Sequence, residues 1–130
     1  MRQFLISLAT LTALSGTMVS VSADDIEDAG DGWIAYESGD YGRALTLFRK
    51  AAEQGNAKAQ LSLGVIYENG QGVLQDFISA HMWMNIAATN GSEEAVENRH
   101  NVANKMTYAG ISEAQRRAKI CLESDYQNCD

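Results

Sequence analysis

Few side chains in this sequence could do chemistry: two cysteines, two histidines and a run of carboxylates. Cys121 and Cys129 stand eight positions apart near the C-terminus. In a chain that leaves the reducing cytoplasm, an even and closely spaced pair reads as a disulfide. A redox pair is more often Cys-x-x-Cys, and a zinc site needs further His or Cys at ligand spacing; neither pattern occurs. His81 and His100 fall on different helical segments without a second ligand at helical spacing. Both read as structural or solvated, with metal ligation or general-base use as the alternative. The acidic run Asp24, Asp25, Glu27, Asp28, Asp31 suits the positive end of a helix dipole. A calcium site is the alternative, but the ligand alternation and terminal Glu of an EF-hand loop are missing. No catalytic residue, metal or cofactor is expected.

The N-terminus supplies the export argument. Arg2 precedes an apolar stretch from Phe4 to Leu14, then a small-residue run ending Val21-Ser22-Ala23. This pattern predicts a signal peptide over residues 1–23, cleaved before Asp24, and a periplasmic or secreted protein. The alternative is a retained membrane anchor, because no charge separates Arg2 from Asp24. Interspersed Ser, Thr and Gly16 weaken such a span, so no stable membrane insertion is expected after cleavage. Residues 24–130 then form one small domain. With 10 Lys+Arg against 17 Asp+Glu and a net charge of −7, nucleic acid and anionic lipid are disfavoured as partners, since phosphate binding needs clustered cations.

The elements that would position these residues follow from an internal repeat. At a 36-residue offset Asp40 and Tyr41 recur as Asp76 and Phe77, Ala44 as Ala80 and Phe48 as Met84. Ala51-Ala52 recur as Ala87-Ala88, Gly55 as Gly91 and Ala59 as Ala95. Self-similarity of this length marks a solenoid, in which each unit buries its apolar face on the next. The apolar residues have helical spacing: Tyr41, Ala44, Leu45, Phe48, Ala51 and Ala52 share one face. Gly55 and Gly91 read as helix stops, Asn56 as the next cap, and Gly70-Gln71-Gly72 as a loop. Trp83 and Met84 read as core. Gly64 reads as a point of close helix approach.

The spacing predicts six helices in three hairpins. The first runs near 26–38, weakened by Gly30 and Gly32, and the fifth over 92–107. The last starts at Ser112 on a Ser112-Glu113-Ala114-Gln115 capping box and runs to about 123. Repeat units are expected at about 25–55, 56–91 and 92–124, with a tail at 125–130. The chain has no proline, so no kink is written into any helix.

The stretch Arg43–Ala95 resembles the Sel-one-like repeat family, a relative of the tetratricopeptide repeat. The resemblance is carried by Ala51-Ala52, Gly55, Ala59, Leu63-Gly64, Tyr67, the Gly70-x-Gly72-Val73 loop, Asp76 and Ala80. It implies an all-α, right-handed α-solenoid serving as a non-catalytic adaptor or scaffold with a protein or peptide partner. Some disulfide-rich relatives have been linked to binding or hydrolysing β-lactams, which makes a cell-wall or β-lactam activity the alternative. This chain has no Ser-x-x-Lys, the usual serine-acylation pair. It shares the Cys-x₇-Cys spacing of those relatives' bridges. Leu74 stands where the family often has proline, the first unit is short, and the third lacks the glycine loop.

By the same resemblance, a partner groove would be lined by the first helix of each hairpin. In the second unit the inward positions are Lys58, Leu61, Val65, Glu68 and Asn69. In the third they are Glu94, Glu97, Asn101, Asn104 and Lys105, and in the first Glu27, Ile34, Glu37 and Ser38. The row is mildly acidic and would favour a segment bearing Lys or Arg, with Val65 and Ile34 as apolar contacts. An ordinary solvated helix face would also be rich in Glu.

Overall fold

Side-chain caps set the helix boundaries, and the caps themselves repeat. In the computed structural model, which describes residues 23–130, six helices run in succession: α1 (Ala23–Glu37), α2 (Tyr41–Glu53), α3 (Ala57–Asn69), α4 (Phe77–Thr89), α5 (Glu93–Ala103) and α6 (Tyr108–Glu123). The Asp40 carboxylate accepts from the Arg43 N–H at the head of α2. Its counterpart Asp76 accepts from Ile78 and Ser79 at the head of α4. Asn56 and Ser92 cap α3 and α5 in the same way. Each cap satisfies N–H groups that have no partner within their own helix. Gly55 and Gly91 take left-handed φ values of 89° and 97° and turn the chain out of α2 and α4. The expected signal peptide lies outside the described residues, apart from Ala23, and so do the side chains of Asp24 and Asp25. Among the described residues, no helix is long and apolar enough to cross a membrane.

Phe48, Leu63, Ile66, Trp83, Met84 and Ile86 are buried and form the interior, with small alanines between them. Two glycines let large side chains come in. A Cβ on Gly64 would lie 2.7 Å from Met84 Cγ and 3.2 Å from the Ala80 carbonyl oxygen, so α3 and α4 meet backbone to side chain. A Cβ on Gly32 would lie 2.8 Å from the Phe48 ring. The glycine that weakens α1 as an isolated helix therefore admits the core aromatic of α2, and tertiary packing outweighs its propensity cost. Asp28, within the acidic run, pairs with Lys50 at 2.7 Å across α1 and α2.

Successive helices pack pairwise from α1 to α5, but α6 lies against α4 instead of α5. Here the structure corrects the expected boundaries. α5 ends at Ala103, and Thr107 caps α6 by accepting from the Gly110 N–H. Ser112 is therefore inside α6, and its capping box is not used. Thr107 offers a cap four residues after α5 ends, and along α6 Ala114, Ala118 and Cys121 are buried at i, i+4 and i+7. Cys121 and Cys129 form a disulfide. The bridge folds the tail back so that Tyr126 Oη accepts from Asn90 Nδ2 at 2.9 Å and Asp130 pairs with Arg49 at 2.7 Å.

Candidate functional site

Three helices that are separate in sequence contribute to one shallow depression. Trp33 from α1, Lys58, Leu61, Ser62 and Val65 from α3, and Glu94 from α5 enclose about 170 Å³. These are the first helices of the three hairpins, so the depression follows the inner row expected from the repeats. Its walls are the half-buried Leu61 and Val65 and the exposed flank of the Trp33 indole. The indole is steadied edge-on against Phe48 and Tyr36, with centroids 5.4 and 5.6 Å away. Edge-to-face aromatic packing fixes a ring orientation while leaving one face available.

The remaining row residues are distributed unevenly. Glu68 pairs with Lys105 at 3.1 Å, and the same ammonium lies 5.8 Å from the centre of the Phe77 ring. Two positions expected to present charge to a partner therefore largely offset each other across α3 and the turn after α5. Glu37, Asn69, Glu97 and Asn101 are exposed. Ile34 and Ser38 belong to a second hollow of about 120 Å³ at the α1–α2 turn, with Asp31, Ala35, Asp40 and Arg43. Trp33 is not among the residues expected from the sequence. Aligning Tyr36 with Tyr67 sets Trp33 opposite Gly64, and a large aromatic in place of a packing glycine is the signal that could have found it.

A third cleft, of about 280 Å³, opens on the other side of α5. His81 and Asn85 from α4, Arg99, His100 and Ala103 from α5, and Ile111 and Gln115 from α6 line it. His81 is only 3% exposed and its Nδ1 has no hydrogen-bond partner. Burial, reinforced by the nearby positive charge of Arg99 and by His100, pushes its pKa below the ordinary histidine value. The ring is therefore neutral at neutral pH. Among the described residues, no group of three or more His, Cys, Asp or Glu side chains is placed to hold a metal.

Paired helices stacked in register with a 36-residue sequence repeat define a helical-repeat protein of the solenoid class. Residues 30–56 and 57–92 each match the Sel1 repeat, so the chain carries two Sel1 repeats. Such repeats mark protein–protein interaction modules. A protein of Helicobacter pylori strain J99, named "Putative beta-lactamase HcpE", is 47% identical over 47 residues, which is 36% of this chain and 13% of that protein. Its counterpart in strain 26695 is 48% identical over 42 residues, 32% of this chain and 12% of that protein. The chain thus spans about an eighth of the length of these curated relatives. No solved structure gives a significant match.

Proposed function

We propose that this protein is a non-catalytic interaction module, exported to the periplasm or beyond, that holds a segment of a protein partner along α1, α3 and α5. One observation carries the reading: side chains from all three first helices converge on a single depression with an aromatic wall and the charged Lys58 and Glu94. A segment with one large apolar residue would seat it on Trp33, Leu61 and Val65. Basic residues beside it would face the exposed Glu94 and Glu97. Rim charges of this kind steer encounter more than they hold the complex, so added salt should slow association more than it speeds release. The Cys121–Cys129 disulfide supports an oxidising compartment.

Selection from a random peptide library tests the reading. Enriched peptides should carry a large apolar residue flanked by Lys or Arg. Of the two tryptophans Trp33 is exposed and Trp83 buried, so bound peptide should protect Trp33 from acrylamide quenching. Val65→Asp and Glu94→Lys should each weaken capture while leaving the far-ultraviolet circular dichroism unchanged. Capture untouched by both would move the site off this face. Turnover of a chromogenic cephalosporin by the purified protein would instead favour the hydrolase alternative raised by the relatives' name.

A further inference from the structure

The cleft between α4, α5 and α6 is chemically unlike the rest of the molecule. The chain carries a net charge of −7, yet none of the seven residues lining this cleft is acidic. Arg99 is held by a hydrogen bond to the Asn85 side-chain oxygen. That bond uses one of five guanidinium N–H donors and leaves the others available. His81, almost wholly buried, lines the cleft as well. Gln115 and His100 add donors at the rim, while Ala103 and Ile111 supply apolar wall.

We propose that this cleft binds the carboxylate of a small organic acid or of a peptide chain end. Arg99 would receive it in the two-bond geometry that a guanidinium offers a carboxylate, with His81 and Gln115 donating to the remaining lone pairs. The charge balance selects a monoanion. With His81 neutral, Arg99 supplies one fixed positive charge at the cleft floor, which a doubly charged phosphate would leave under-compensated. The two apolar side chains would cover the carbon attached to the carboxyl group. On a helical wheel Arg99 and Ala103 lie on the face of α5 opposite Glu94, Glu97 and Asn101. The cleft is therefore separate from the partner groove, and the two readings fail independently.

The test is a titration of the whole protein, followed by imidazole and arginine side-chain NMR at constant ionic strength. The probes are acetate, N-acetyl-dialanine, the amide of that dipeptide, and phosphate. The free acid should move the His81, His100 and Arg99 signals saturably, with a Kd of about 1 mM or tighter. The amide should bind at least ~10-fold more weakly, because it lacks the charge. Acetate binding as well as the dipeptide would assign a free small acid; binding of the dipeptide alone would assign a chain end. Arg99→Gln should abolish the response. Gln115→Glu, at an exposed position, should abolish it too with the melting temperature unchanged, whereas Val65→Asp should leave it intact. No saturable shift, equal binding of the amide or of phosphate, or binding that survives Gln115→Glu would overturn the proposal.

Discussion

In the α3–α4 hairpin, Gly64 has no side chain at the crossing point, and Met84 comes to within what would be 2.7 Å of its Cβ. In the α5–α6 pair the equivalent position, 36 residues on, holds His100, which is exposed. The connections differ as well. The loop from Gly70 to Asp76 has two left-handed glycines, at φ 65° and 72°, that let α4 run back along α3. Between Ala103 and Tyr108 there is only a short turn without glycine. α6 therefore leaves α5 and packs on α4, and the cleft floored by His81 opens between them. Two units with one repeat pattern thus diverge through a single side chain at the crossing and the length of one link. A closed hairpin makes core; an open one leaves a cleft.

The largest expected effect tests how the open hairpin is fastened. α6 packs on α4 and not on α5, and the Cys121–Cys129 bridge adds the tail contacts with Asn90 and Arg49. Cys121→Ser with Cys129→Ser should cost about 2–3 kcal/mol in the chain-entropy model for so short a loop. Denaturant unfolding measures this; a loss near zero would show that α6 is secured by packing alone.

Next comes the crossing point itself. Gly64→Leu should destabilise by about 1–3 kcal/mol through overpacking against Met84 and the Ala80 carbonyl, although Leu is the better helix former. His100→Leu, at the matching position of the open hairpin, should change stability by no more than about 0.5 kcal/mol. If both substitutions cost the same, the two hairpins are not built differently at this point.

The caps give a smaller contrast. Asp76 accepts from the Ser79 hydroxyl and from two backbone N–H groups, whereas Thr107 accepts from one. Asp76→Ala should therefore cost about 1–2 kcal/mol and Thr107→Ala about 0.5–1 kcal/mol. Partial burial alone would raise the Asp76 pKa, but the hydrogen bonds from Ser79 and Ile78 and the charge of Arg117 outweigh it and hold it below the ordinary carboxylate value. A carboxylate with a lowered folded pKa stabilises the protein above its unfolded pKa, and loses that contribution as pH falls through the folded value. The gap between wild type and Asp76→Ala should accordingly narrow below about pH 4.

The smallest effect concerns the pair that ties the two hairpins together. Glu68→Gln removes the partner of Lys105 and should cost about 0.2–1 kcal/mol, because the pair is partly exposed. Its larger consequence should be on partner capture, by releasing a cation onto the inner face. Measuring stability and peptide binding in the same variant separates the two.

What the sequence determined by itself is local. The 36-residue repeat, the cap Asn56, the turns at Gly55 and Gly91, and the buried stripe through Phe48, Trp83 and Met84 were all legible. The repeat is read by comparing the sequence with itself, and the cap, turns and stripe each depend on residues within one or two helical turns of one another, where spacing fixes geometry. The close approach at Gly64 was legible too, because a glycine inside an apolar helical stripe has few other uses. The start of α6 was not, because two neighbouring caps, Thr107 and Ser112, both satisfy the local rules, and only packing against α4 chooses between them. Tertiary structure alone decided the rest: that Trp33 enters the depression beside Val65, that Lys105 offsets Glu68, and that His81 faces Arg99 across a cleft. These depend on the angle between hairpins and on where long side chains end, which the helical pattern leaves free. A period places residues on a face; it does not say what the face meets.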